Sequence, residues 1–340
     1  MRGVRWVNEL LVLDDAVPEP VPVEGDVMVE VAAASICGTD LHFMRTQPQE
    51  VVIGHEFAGW VDGAPCAIEP TVFCSRCEQC LGGHTNRCVG DEHTNIGIYR
   101  DGGLADRVVV PAYAPVALPD GLDVRDASLV EPTSVSWHGA RRAHIEAGER
   151  VAVVGGGSIG LLAVACVRHL GHAVDLEARH PHQIEAGERI GAGTSPHGEY
   201  DVVIETAGSE SGLLRSAHLV RPGGRVVLLG NFQPSAPVPG VPTLVKEITW
   251  IGSAGRGRHD HGVREFAESA AVLAANPEIA RAVITHRFPL GDAAEAFRVA
   301  DDRASGAIKV VLHPCSAGSR ARRSGGSSPA SPTAARCPSG

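Results

Sequence analysis

Residues 73–88 read FCSRCEQCLGGHTNRC and place cysteines at 74, 77, 80 and 88. Three of them sit two residues apart, and the fourth follows eight positions later. This is a ligand spacing. Tetrahedral zinc takes four thiolates, and a short loop built on C-x-x-C turns can wrap one ion. Gly82 and Gly83 let the chain turn between the third and fourth ligands. Other chemistries compete for these residues. A disulfide scaffold belongs to short secreted chains, whereas this one has 340 residues and an odd nine cysteines. A thioredoxin-like pair would carry no extra two cysteines. The tight bacterial iron–sulfur run ends in Cys-Pro, and here Cys88 precedes Val89. The expected ion is a structural zinc with all four positions filled, so it does no chemistry.

An open metal site needs a different set. ICGTDLH (36–42), GHE (54–56) and LVEP (129–132) supply Cys37, His55 and Glu131. One thiolate, one imidazole and one carboxylate leave a fourth position for water or substrate, the catalytic zinc pattern. Each residue alone has a plainer reading: a buried apolar cysteine, a satisfied core histidine, an acid at a helix start. Further on, VAVVGGGSIGLLAV holds Gly155, Gly157 and Gly160 as G-x-G-x-x-G, with Ser158 and Ile159 between them. An apolar strand precedes this motif and a helix follows it. That context makes it a dinucleotide fingerprint, with pyrophosphate against the free N–H groups of the helix start.

Taken together, CGTDLH, GHE, the four-cysteine lobe, DGGLADRVVVPA, LVEPTSVSWHGARRA and VAVVGGGSIGLLAV resemble the zinc-dependent medium-chain dehydrogenase/reductase family over residues 1–313. The EP motif is most similar to the sorbitol, butanediol and threonine dehydrogenase group. The resemblance implies a catalytic zinc on Cys37, His55 and Glu131, with Glu56 as a neighbouring carboxylate able to join or replace a ligand. It implies a second, structural zinc on Cys74, Cys77, Cys80 and Cys88. Asp40 matches the carboxylate that orients the zinc histidine. Thr39 and His42 match the proton relay from substrate through cofactor ribose to solvent. Phe43 and the residues near Trp137 match pocket walls. The implied reaction is hydride transfer between a small secondary alcohol, diol or polyol, or the matching ketone or aldehyde, and NADP(H) or NAD(H). A zinc-free enone or quinone reductase on the same fold would lack Cys37, His55 and Glu131. A non-enzymatic zinc and nucleotide binder would carry the metal without turning over any alcohol. A regulatory binder acting through its tail would change behaviour on truncation at residue 314.

The elements that must position these residues follow from pattern. DVMVEVAAASI, VVIGHEFAGWV and LADRVVVPA are β-rich stretches broken by Gly, Pro and Asp. EPTSVSWHGARRAH has helical spacing. RVAVV is a continuous apolar run, a strand buried on both faces, and IGLLAVACVRHLG is a helix ending at Gly171. GHAVDLEA, EYDVVIET, GGRVVLLG and EITWIGSA continue the strand–helix alternation, AAEAFRVADD is a short helix and AIKVVLHP a last strand. The expected fold is α/β: a doubly wound Rossmann parallel sheet plus a β-rich GroES-like catalytic domain carrying the zinc lobe. The expected division is 1–133 catalytic, with the lobe at 73–88, 134–285 cofactor-binding, 286–313 returning to the catalytic domain, and 314–340 a tail. Two stretches are short for the family: DGAPCAIEP after the GHEFAGWV strand, and HQIEAGERIGAGTSPHGEYDVV, which predicts a reduced edge of the cofactor sheet.

Net charge is −10, and residues 314–340 hold four Arg and no acid, so the remainder carries −10 − 4 = −14. That balance excludes nucleic acid or an anionic membrane as main partner. No apolar run reaches a membrane span of ~18 residues, and the N-terminus lacks a signal-peptide pattern, so the expected compartment is the cytoplasm. The Ser, Gly, Pro, Ala and Arg tail predicts disorder, with Cys315 and Cys337 as accessible thiols. The apolar ITWIGSA edge predicts a homodimer or homotetramer. At the tip of the second cofactor strand stand Ala178, Arg179 and His180, with His182 behind. An arginine there can grip a 2′-phosphate, so NADP is expected to be preferred and NAD tolerated.

Overall fold

A computed structural model describes residues 1–7, 10–46, 50–233, 235–259 and 263–314. The expected tail beyond Pro314, with Cys315 and Cys337, lies outside the described residues.

Six parallel strands form one sheet in the order Gly193–Thr194, Val174–Glu177, Val151–Val154, Tyr200–Glu205, Val220–Leu228, Thr249–Gly252. This is the doubly wound 3-2-1-4-5-6 order, with the switch point between the Val151 and Tyr200 strands. All four residues of Val151–Val154 are buried, which is why that strand reads as an unbroken apolar run. The helix Ser158–His169 buries eight consecutive residues, Gly160 to Val167, and ends before Gly171 at φ +90°. The short stretch after the second strand does hold a nine-residue helix, Pro181–Arg189. Only two residues, Gly193–Thr194, remain for the edge strand, so that edge is reduced as expected.

A second, seven-stranded sheet orders Ile284–Pro289, Lys309–His313, Asp26–Ser35, Glu56–Val61, Ala64–Ile68 and Pro115–Ala117, with Arg107–Pro111 also paired to Asp26–Ser35. The chain therefore returns to its first sheet after the cofactor sheet is complete. The shortened DGAPCAIEP stretch is a tight hairpin. Its turn is Asp62-Gly63, both at positive φ (50° and 82°), a two-residue turn that matches strand twist.

The helix Val130–Arg142 ties the two sheets together. One hydrophobic cluster runs from Ala33, Ala58 and Ala67 through Leu129 and Trp137 to Val153 and Leu162. The expected division at 133/134 falls inside this helix and inside that continuous core. Two longer helices, Glu210–Leu219 and Glu265–Ala275, are not announced by the pattern of the sequence. No helix among the described residues is long and apolar enough to cross a membrane.

Candidate metal and cofactor site

The helix Gly38–Thr46 and the start of the Glu56–Val61 strand bring the first set together. One donor atom each of Cys37, His55 and Glu56 lies within 4.8 Å of the others. Asp40, buried, serves two of them. Its Oδ2 accepts the Cys37 N–H at 2.8 Å, and its Oδ1 lies 3.3 Å from His55 Nδ1. Nδ1 thus faces the carboxylate, which leaves Nε2 for a metal, the arrangement that fixes a ligating imidazole. Burial pushes the His55 pKa down, but the charges of Asp40 and Cys37 outweigh it and hold the ring well above its ordinary value. The surroundings are built to attract a cation.

Glycines make room for this histidine. Gly54 has φ +101°, and a Cβ there would meet the Leu104 backbone nitrogen at 2.9 Å. A Cβ on Gly97 would come within 2.6 Å of the His55 nitrogen. The DGG stretch packs backbone against backbone behind the GHE turn, and Gly103 N–H donates to the Gly54 carbonyl at 2.8 Å.

Glu56 is fully buried and never bare. Lys309 Nζ donates to both its oxygens, at 2.9 and 2.7 Å, and to the Ile36 carbonyl at 3.1 Å, while Ser35 Oγ also donates to it. Burial works against the Lys309 charge, yet Glu56 and Cys37 raise its pKa above the usual lysine value. Glu131, expected as the third ligand, is not brought into the donor group. Its carboxylate is bonded to Arg256 across 125 residues of sequence, and both side chains are buried. Arg256, on the loop after the Thr249–Gly252 strand, takes the carboxylate. Thr39 and His42 stand three residues apart on one side of the Gly38–Thr46 helix, both half-buried. Phe43 lines a small hollow with Trp6, Ile53 and Ile98. Trp137 itself is core. Its ring lies 5.7 Å from that of His169 and its Nε1–H donates to Glu268 at 2.8 Å.

The second set, Cys74, Cys77, Cys80 and Cys88, also lies within 4.8 Å, and the cysteines are free thiols. Four thiolates at ~2.3 Å from one ion are ~3.8 Å apart. Cys74 and Cys80 sulfurs are 3.9 Å apart. Backbone N–H groups already aim at the sulfurs: Cys77 to Cys74 Sγ at 3.3 Å, Cys74 and Gly90 to Cys88 Sγ at 3.3 and 3.4 Å. Amides of Val89 and Cys80 pull the Cys77 thiol down to about 6. A Cβ on Gly90 would strike Cys74 Cβ at 2.6 Å, so this wrap requires glycine. Both sets fit zinc by donor type and spacing.

The lobe is stitched to the loop that carries Arg256. Asn86 Nδ2 donates to the Ala254 carbonyl at 2.7 Å, and Arg258 N–H donates to the Gly83 carbonyl at 2.8 Å. Nothing in the spacing of the cysteines announces that contact.

The cofactor cleft has a volume of about 800 Å³ and opens at the switch point. Its three glycines do three jobs. Gly155 sits at φ +113°, and a Cβ there would meet Thr206 Oγ1 at 2.7 Å. A Cβ on Gly160 would strike the Gly155 carbonyl, which sets how closely helix and strand pack. Gly157 has nothing within 4 Å, so its exposed face is free for a pyrophosphate beside the N–H groups of Ser158, Ile159 and Gly160. Arg179, His180 and His182 line the cleft, and the two histidine rings stack at 5.5 Å. Arg179 has no ion-pair partner among the described residues. These contacts fit a dinucleotide.

Beside the cleft, Glu205 ends the Tyr200–Glu205 strand fully buried, and Oε1 accepts from Ala207 N–H at 2.9 Å and Gly208 N–H at 3.1 Å. Burial raises its carboxyl to about 7, and the two amides only partly offset this. A raised folded-state value favours the protonated form. The resulting stability is present below the unfolded carboxyl value and is lost as pH rises through 7. Glu205→Gln is therefore expected to change Tm little at pH 5, near the unfolded value, and to raise it by about 2–4 °C at pH 8. Melting curves at both values check this, and an equal shift at both would show that ionisation is not the cause.

Residues 23–120 match the alcohol dehydrogenase GroES-like domain, and residues 124–313, more than half the chain, match the glucose dehydrogenase C-terminus. The chain belongs to the zinc-type alcohol dehydrogenases of the medium-chain dehydrogenase/reductase superfamily. It is similar to the L-galactonate-5-dehydrogenase of Escherichia coli (strain K12), 30% identical over 312 residues, covering 82% of this chain and 88% of that one. The L-threonine 3-dehydrogenase of Anaeromyxobacter sp. (strain K) is 29% identical over 332 residues, covering 86% and 93%. Among solved structures, a protein of Sinorhizobium meliloti 1021 described as a zinc-binding dehydrogenase and bound to NADP superposes with TM-score 0.78 at 31% identity, covering 92% of this chain and 99% of that one. Galactitol-1-phosphate dehydrogenase from Escherichia coli gives 0.81 at 25% identity, covering 92% and 100%. This zinc-type dehydrogenase is accordingly an oxidoreductase that uses zinc and a nicotinamide dinucleotide. Its expected fold class stands, with both sheets in place.

Proposed function

We propose that the protein interconverts a small secondary alcohol, diol or polyol and its ketone or aldehyde, with NADP(H) preferred over NAD(H). The single observation that carries this is the open donor group of Cys37, His55 and Glu56 in a chain where four further thiols, Cys74, Cys77, Cys80 and Cys88, form a closed one. When bound, zinc supplies Lewis acidity toward a hydroxyl or carbonyl oxygen, and the dinucleotide supplies the hydride acceptor or donor. The chain's own residues do the rest. Cys37 and His55 would hold the metal, Asp40 fixes the imidazole, and Glu56 would complete the set under the restraint of Lys309 and Ser35. Glu131 with Arg256 forms a neutral buried wall beside them. Thr39 would accept the substrate's hydroxyl proton while handing its own on through the cofactor ribose to His42, which releases it to solvent from its half-exposed position.

Sugar-acid, amino-acid and polyol names among the relatives support an oxygen-rich substrate. Arg179 and His180 hold the 2′-phosphate of NADP. Losing one charge-assisted contact costs about 1.5–3 kcal/mol. Arg179→Ala is therefore expected to raise the KM for NADP about 10- to 150-fold and that for NAD little. A wild-type kcat/KM higher for NAD would overturn the cofactor preference and leave the zinc chemistry standing. The division into 1–133, 134–285 and 286–313 is kept as a functional one, since the metal donors and the glycine fingerprint fall on opposite sides of it.

Assembly as a homodimer or homotetramer is part of the same reading. The Thr249–Gly252 strand is the open edge of its sheet, and the preceding helix Gly240–Lys246 exposes Val241, Leu244 and Val245. Sedimentation showing a stable monomer at micromolar concentration would refute it. Initial rates over a panel of secondary alcohols, diols, polyols and their ketones, with both cofactors, test the whole proposal. Turnover of none of them by zinc-replete protein would sink it.

A further inference from the structure

The second cofactor strand ends in an acid, Glu177, which by itself would accept the ribose hydroxyls of NAD and repel the 2′-phosphate of NADP. The structure shows that acid already engaged. Arg215, on the helix Glu210–Leu219, donates from Nε to both Glu177 oxygens at 2.8 and 2.7 Å, and its Nη2 lies 2.7 Å from Oε2. Nη2 also reaches the Pro196 carbonyl at 3.4 Å, which pins the guanidinium from the other side. Among the described residues Nη1 makes no hydrogen bond, so two N–H donors of a fixed cation are left over. Glu177, Arg215, Arg179 and His180 all line the same cleft.

We propose that Arg215 is a specificity-determining residue: it cancels the charge of Glu177 and offers Nη1 to the 2′-phosphate, so that the strand-end acid no longer selects for NAD. This rests on the reading that NADP is preferred and names a residue of that selection which lies 38 positions from its partner. The acid and the cation act as a unit. Removing Arg215 alone exposes a carboxylate to the phosphate, whereas removing both leaves only a lost contact.

Calorimetric dissociation constants for 2′,5′-ADP and 5′-AMP isolate the adenosine end from zinc and from turnover. They are measured on the full chain for wild type, Arg215→Ala, Arg215→Lys, Glu177→Gln and the Arg215→Ala/Glu177→Gln double variant. Arg215→Ala is expected to weaken 2′,5′-ADP by at least about tenfold, with 5′-AMP within about twofold of wild type. The added Glu177→Gln change recovers a large part of that loss, and Arg215→Lys retains more of the wild-type ratio than alanine. Equal weakening of both probes by Arg215→Ala would make the residue merely structural and overturn the proposal, as would a double variant no better than the single one. A wild-type protein that binds 5′-AMP more tightly than 2′,5′-ADP overturns the NADP reading itself. In that event, a further fall in the selectivity ratio on Arg215→Ala still supports the role given to Arg215.

Discussion

Cys37→Ser is expected to lower turnover by at least about a thousandfold, since Lewis-acid stabilisation is worth several kcal/mol and each 1.4 kcal/mol is about tenfold in rate. The fold should survive. Cys37 is only half-buried, and the bond that holds its backbone, from its own N–H to Asp40, does not involve the sulfur. The measurement is kcat at saturating cofactor beside a melting curve. Retained turnover would remove Cys37 from the chemistry. A collapsed melting temperature would make its role structural.

Cys77→Ser should do the reverse. Its thiolate is one corner of the closed set, and the lobe has little else to hold it: the helix Glu78–Leu81 has four residues, none of them buried. Loss of the ion should therefore melt the lobe, lower Tm by several degrees and open residues 74–92 to proteolysis. Turnover should fall too, as a secondary effect. Asn86 and Gly83 hold Ala254 and Arg258, which bracket Arg256 and so the partner of Glu131. Limited digestion and melting curves check this. A variant as stable and protease-resistant as wild type would show that the lobe stands without its metal.

The contrast between these two substitutions mirrors what could be seen in the sequence. Close spacing is legible. Four cysteines within fifteen residues, three glycines within six, and an unbroken run of buried apolar residues are each local patterns, and the structure gathers the four cysteines into one donor group and buries the whole run. The charges that tune the site are not local. Lys309 meets Glu56 across 253 residues, Arg256 meets Glu131 across 125, and Arg215 meets Glu177 across 38. No period or motif encodes such a pair. Lys309 left one trace, a lone charge in the final strand KVVLH, four of whose five residues are buried; a lysine there needs a buried partner. Arg256 left none, so its pairing with Glu131 could not be seen in the sequence. The burial of Trp137 has a related cause. The Val130–Arg142 helix buries ten of its residues, so its aromatic side chain had a core to enter before it had a pocket.

The account turns on one closed and one open zinc site in the same chain. Metal content per chain, measured by mass spectrometry on freshly purified protein and on Cys37→Ser, tests this most directly. Two zinc ions are expected in the wild type, and one in the variant, with its fold intact. One ion or none in the fresh wild type, or two still bound after Cys37→Ser, would contradict it.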